Sequence, residues 1–180
     1  RRCYYSGMDT TDYVVGGRLE ADVDQLLRGQ VLPAQEAPAP PDAFLAALPE
    51  PGRRGIAKLT DMLRSGTFPD LYDFNPEWGT DTSSFPNVDP DAFALGNDGA
   101  GNYWLLCADG TVHSWCHDEG GLMEDHNSFA SVDEALACWV QYTAVREEHV
   151  ALDDVRAIFE AKADGEDNGW AFFLETLEDL

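Results

Sequence analysis

The sequence predicts an α+β fold, an antiparallel-rich sheet with a central hairpin, flanked by helices. Two observations carry this. Asp109-Gly110 stands between two runs rich in β-forming residues, the strongest short-range signal for a hairpin. Downstream, "SVDE" opens a helical pattern with a capping box, Ser131 as N-cap and Glu134 three residues later. A third observation bounds the answer. A chain of 180 residues with 44% hydrophobic and 11% aromatic content is long enough for one domain with a buried core, and its composition is that of a folded protein.

Residues 1–32 read as an N-terminal strand–helix segment. Tyr13 to Val15 form a short strand ending at Gly16-Gly17, and Leu19, Val23, Leu26 and Leu27 then recur at helical spacing until Gly29. Residues 33–41, "PAQEAPAPP", are an extended Pro-rich linker, because proline neither continues a helix nor donates to a central strand. The main domain spans 42–150. "DAFLAAL" and "IAKLTDMLRS" are helical, the second placing Ile56, Leu59, Met62 and Leu63 on one side and stopping at Gly66. Phe68 to Pro90 is a long ordered loop with short strand pieces, Leu71, Tyr72 and Phe74 against Trp78. Phe93 to Leu95 form a strand that enters the hairpin segment. After Ser131, the residues Val132, Ala135, Leu136, Trp139 and Val140 share one helical face. Residues 151–180 are a helical extension packed on the domain, with helices at Leu152–Lys162 and Trp170–Leu177.

A two-residue turn at Asp109-Gly110 pairs Cys107 with Val112, Leu106 with His113 and Trp104 with Trp115. One face of the hairpin then carries Trp104, Leu106, His113, Trp115 and His117, and the other carries Tyr103, Leu105, Cys107, Val112 and Cys116. In this register Trp104 and Trp115 are expected to be buried together with Trp139 under the capped helix. The same register bears on metal binding. His113 and His117 lie about 13 Å apart at ~3.3 Å per residue, and Cys107 and Cys116 are separated by a similar distance. Neither pair closes on a zinc ion with ligands at ~2 Å, although a longer turn would shift the register and reopen the question. Cys116 and His117 point to opposite faces, so they form no catalytic dyad. No nucleophile–base pair or carboxylate constellation can be assembled, and no catalytic residue, metal site or cofactor is expected.

Two further motifs resemble sites. "GNDGAGN" at Gly96–Asn102 has the glycines of a phosphate loop but lacks its lysine and leads into a strand, so it reads as a connection between strands. Near the C-terminus, Asp164, Glu166, Asn168, Gly169 and Glu175 occupy positions 1, 3, 5, 6 and 12 of an EF-hand loop. Glu is long for position 3 and no second loop exists to pair with. A polar helix–helix connection is the simpler reading, with calcium, and a calcium-responsive or scaffold role, as its alternative.

Charge is the outlying property. Eleven Lys and Arg against 34 Asp and Glu give −23, and from Asp91 onward twenty acidic residues face only Arg146, Arg156 and Lys162. Such a field repels nucleic acid and anionic membranes and steers basic partners inward. High solubility alone would also account for it. No apolar run approaches the ~18 residues of a membrane helix. Four cysteines without a CxxC suit reduced thiols and a cytoplasmic protein. The opening Arg1 in place of a methionine points to a trimmed or incomplete N-terminus.

The segments "GNDGAGNYWLLC", "GTVHSWCHDE" and "NSFASVDEALACWV" resemble, in order and spacing, the SUKH superfamily, which includes yeast Smi/Knr-type cell-wall regulators and many bacterial immunity proteins. The likeness runs from Leu95 to Val140, a quarter of the chain. It implies an α+β domain with a non-enzymatic, protein-binding role, as an immunity protein neutralising a toxin (many of them nucleases) or as an intracellular regulator. A nuclease is basic where nucleic acid sits, so an acidic chain would be drawn to it. The loop between the second hairpin strand and the capped helix is Gly-rich and acidic. Asp118, Glu119, Glu124 and Asp125 are therefore the expected partner-binding residues. Oligomeric state is not legible.

Overall fold

The computed structural model describes residues 31–89, 91–123, 128–165 and 168–179. The strand and helix expected before residue 30 lie outside them. Helices α1 (Asp42–Ala47), α2 (Glu50–Ser65), α3 (Val132–Arg146), α4 (Leu152–Ala163) and α5 (Gly169–Glu178) surround six strands. These are β1 (Asn75–Pro76), β2 (Phe93–Asn97), β3 (Tyr103–Leu106), β4 (Val112–Cys116), β5 (Gly121–Leu122) and β6 (Ser128–Phe129). The sheet runs β1-β2-β3-β4-β5 with every pairing antiparallel, and β6 joins β4 at Val112 and His113. The fold is α+β, as the sequence predicts. Among the described residues no helix is long and apolar enough to cross a membrane.

Local signals place the helices. Ser131 Oγ accepts the Glu134 amide at 3.2 Å, and Glu134 Oε2 accepts the Ala130 amide at 3.0 Å, so the box caps α3 reciprocally. Gly66 closes α2 in a left-handed cap. Helix α2 starts six residues before Ile56, where Pro51 in its first turn presets the backbone. Residues 33–41 form no helix or strand, and they are docked rather than spanning free space. Gln35 N–H donates to Leu63 O, Arg64 Nε–H donates to Ala37 O, and Ala37 is in the core.

Helix α3 is buried nearly all round, from Ala135 to Ala144. The single apolar face expected of it understates its place. The sheet lies on one side, and α2, α4 and α5 pack around the rest. Val155, Phe159, Trp170 and Phe173 of α4 and α5 belong to the same continuous core as Leu59 and Trp104. At the C-terminal end of α3, Thr143 Oγ accepts the Tyr72 amide and donates to Trp139 O, and Tyr142 donates to Asp73 Oδ2. These bonds fasten the loop before β1 to the central helix.

The hairpin register differs from expectation by one residue. Leu106 pairs with Val112, Leu105 with His113, Trp104 with Ser114 and Tyr103 with Trp115. The loop has three residues, Ala108 to Gly110, closed by Gly110 N–H to Cys107 O and Cys107 N–H to Thr111 O. A two-residue type I′ turn needs positive φ at both central positions, whereas here only Gly110 has it, at 91°. The Asp109 carboxylate instead accepts from the Thr111 amide and hydroxyl at 2.9 and 2.6 Å, which fixes an Asx turn.

One residue of slip moves side chains to the other face. Trp104, Leu106 and Val112 now face α3, and the Trp104 ring lies 5.2 Å from Trp139 in an edge-on contact. Trp115 is not with them. It lies on the opposite face in a separate cluster with Ala94 and Leu105, against Phe85, Tyr103 and Leu122.

Candidate protein-binding surface

The end of the sheet carrying the β2–β3 and β4–β5 turns is the candidate surface. The first turn comes from the glycine-rich segment. Asp98 Oδ1 accepts the amides of Ala100 and Asn102 at 2.8 and 3.1 Å, and Asp98 Oδ2 accepts Asn102 Nδ2–H at 2.7 Å. The amides that would cradle a phosphate already hold the chain's own carboxylate. With Nδ2 facing Asp98, the Asn102 Oδ1 atom faces His117. It takes the His117 backbone N–H at 3.2 Å and lies 3.0 Å from Nδ1. These contacts tie the two turns together.

The β4–β5 turn, residues 117–120, presents its acids outward. Asp118 and Glu119 are both exposed, with the Asp118 carboxylate 3.2 Å from His117 Nε2. Gly120 N–H closes the turn onto Cys116 O, and Asn87 Nδ2–H holds the Gly120 carbonyl at 2.8 Å. Glu124 and Asp125, expected beside them, lie outside the described residues.

The structure adds acids that a loop-by-loop reading missed. Tyr103 donates to Glu77 Oε2 at 2.6 Å, a hydrogen bond that pushes the phenol above its usual range. Asp81, Asp89 and Asp91 are exposed on the loop crossing the second face of the sheet. The signal that would have found them is an interval. Between Arg64 and Arg146 the sequence holds fourteen Asp and Glu and not one Lys or Arg. Every strand of the sheet lies inside that interval.

His113 and Cys107 also change neighbours with the register. Thr111 Oγ donates to Asp109 and stands 2.9 Å from His113 Nε2. The hydroxyl proton therefore points at a carboxylate within the turn, the reverse of a nucleophile whose proton is taken by imidazole. Burial pushes the Asp109 carboxyl up, but the hydroxyl and amide of Thr111 outweigh it and hold the group low. Cys107 and Cys116 sit at opposite ends of the hairpin. Among the described residues no three His, Cys, Asp or Glu side chains are placed to hold a metal ion.

The EF-hand alternative meets a specific obstacle. Asn168 is the N-cap of α5, its Oδ1 accepting the Trp170 and Ala171 amides while its Nδ2 donates toward Lys162 O and Ala163 O. Gly169, where a calcium loop makes its sharp turn, is instead the first residue of a helix, and Glu175 lies within that helix. Asp164 caps α4 in a left-handed conformation, and Glu166 lies outside the described residues. Among the described residues, Asp164 and Asn168 cap the two helices that this connection joins. Accordingly, EDTA is expected to leave the melting temperature unchanged, and added calcium to leave it unchanged again. A calcium-dependent rise would show a site that the capping of α5 does not permit.

Compared with known proteins, the chain matches no family model, no curated protein and no solved structure.

Proposed function

We propose that this chain is a non-enzymatic binding module whose acidic sheet side engages a basic protein. The partner that fits best is a toxin domain of the nuclease type, neutralised by an immunity protein like those of the SUKH superfamily. An intracellular regulator built the same way is the second form of this reading. The supporting observation is the interval without lysine or arginine, which holds every strand of the sheet, with Asp118 and Glu119 exposed on a tethered turn. A rigid scaffold bearing charged turns suits protein recognition. Charge of one sign raises association rates by roughly 10- to 1000-fold at low salt.

The test is to ask whether a basic toxin domain is encoded beside the gene, and to follow association of the chain with such a domain by stopped flow across a salt series. The on-rate is expected to fall at least roughly tenfold as salt shortens the screening length from about 30 Å toward 3 Å. Replacing Asp118, Glu119, Glu124 and Asp125 together by Asn or Gln should lower the on-rate and leave the melting temperature in place. Association that ignores both salt and these substitutions, or tight binding of DNA by the protein itself, would count decisively against the proposal.

A further inference from the structure

The two faces of the sheet are covered very differently. On the first, α3 seals the main core. On the second, Ala94, Leu105 and Trp115 form a separate cluster under one irregular segment, Thr80–Asp89, which has no helix or strand of its own. This segment holds on through a plug, a second apolar contact from Val88 and a few single bonds. Phe85 stacks on Trp115 with ring centroids 4.3 Å apart and tilts against Tyr103 at 5.0 Å. Trp115 Nε1–H donates to Pro86 O at 3.1 Å, Asn87 Nδ2–H to Gly120 O at 2.8 Å, and Thr82 Oγ–H to Ala92 O at 3.4 Å. Nothing in the segment belongs to the main core. Segments with few buried contacts open at lower free energy than the core they cover.

We infer that Thr80–Asp89 is a displaceable strap with Phe85 as its plug, and that the shelf beneath takes an aromatic side chain of a basic polypeptide in place of Phe85. The shelf is shaped for a ring, because Trp115 and Tyr103 already hold one there. Its surroundings select the sign of the chain that delivers the ring. Glu77, Asp81, Asp89, Asp91, Asp118 and Glu119 are exposed on the strap and its neighbours, and no lysine or arginine of the interval opposes them. A neutral aromatic segment gains nothing from that field, whereas a basic one is drawn in. The occupant rests on the reading of the acidic side as a binding surface, but the movement of the strap does not.

Hydrogen exchange at the Trp115 indole, followed by NMR, reads the movement directly, because its N–H is released only when Pro86 O leaves. It is expected to exchange at least roughly 100-fold faster than the backbone amides of α3, with little dependence on denaturant. A lock is available. A Cβ at Gly121 would stand 3.8 Å from Asn87 Cβ, close to the ~3.8 Å of a disulfide. Asn87→Cys/Gly121→Cys, with Cys3, Cys107 and Cys116 changed to serine, should bring Trp115 exchange down to the α3 rate when oxidised and release it when reduced. The occupant is tested with the peptides Lys-Lys-Phe-Lys-Lys and Lys-Lys-Ala-Lys-Lys at low salt. The phenylalanine peptide should bind the reduced protein several-fold more tightly and lose that advantage on oxidation. Trp115 exchange at the α3 rate in the unlocked protein overturns the strap. Equal binding of both peptides in both redox states overturns the occupant and leaves the acidic surface standing. Binding of neither peptide overturns the basic-partner reading, with the strap still decided by exchange.

Discussion

Trp139→Ala is expected to destabilise the protein by about 3–5 kcal/mol, the cost of removing a fully buried large aromatic side chain. Trp139 is 0% exposed and stands in contact with Phe74, Trp104 and Phe129, at ring separations of 4.4, 5.2 and 6.0 Å. Helix α3 is enclosed on several sides, so the site has little freedom to collapse around the void. Chemical denaturation checks the size of the loss. A double-mutant cycle checks its cause. Trp104→Ala and Trp139→Ala should couple by about 0.5–3 kcal/mol, as contacting residues do, whereas Trp115→Ala and Trp139→Ala should add within about 0.5 kcal/mol. The two-residue turn would predict coupling in both pairs. An unfolding midpoint unmoved by Trp139→Ala would show that α3 does not rest on the Trp104 face at all.

What could be read from the sequence follows the range of the forces involved. Helix ends are set by neighbours, and Ser131, Gly66 and Asn168 act within six residues of themselves, so α3, the end of α2 and the α4–α5 connection were largely legible. Register is also local, but it turned on one backbone angle. Asp109-Gly110 serves either a two-residue or a three-residue loop, and the Asp109–Thr111 hydrogen bonds that choose the longer one come from the same short stretch. That single choice sent Trp115 and His113 to the other face. The all-round burial of α3 was not legible, because it depends on α4 and α5 folding back over it. At the candidate surface, the exposure of Asp118 and Glu119 followed from a Gly-rich acidic turn. The Tyr103–Glu77 and Asn102–His117 contacts did not, since they join residues 26 and 15 apart in the chain. The docking of 33–41 was missed for a similar reason. Prolines forbid a helix there but do not say whether the extended chain lies on α2.

Gly169→Ala reverses the usual sign of a helix substitution. Replacing glycine by alanine in a helix ordinarily gains up to about 1 kcal/mol through propensity. Here a Cβ would overlap the Phe129 ring, which lies directly against the first residue of α5. Phe129 is itself 2% exposed, with Trp104, Trp139, Trp170 and Phe173 around it at centroid distances of 5.9 to 6.5 Å. A displaced ring would press on these neighbours, so the strain passes into the junction of α3, α5 and the sheet. Overpacking of this kind costs about 1–3 kcal/mol, and the substitution is expected to be net destabilising despite its better propensity. The companion experiment is Phe129→Leu, which costs stability alone but makes room for the methyl group. In the double variant the two losses should sum to less than their separate values, by about 1 kcal/mol. A Gly169→Ala protein as stable as the parent would mean that α5 can move off Phe129, and that the C-terminal helix pair is not held to the central core at this point.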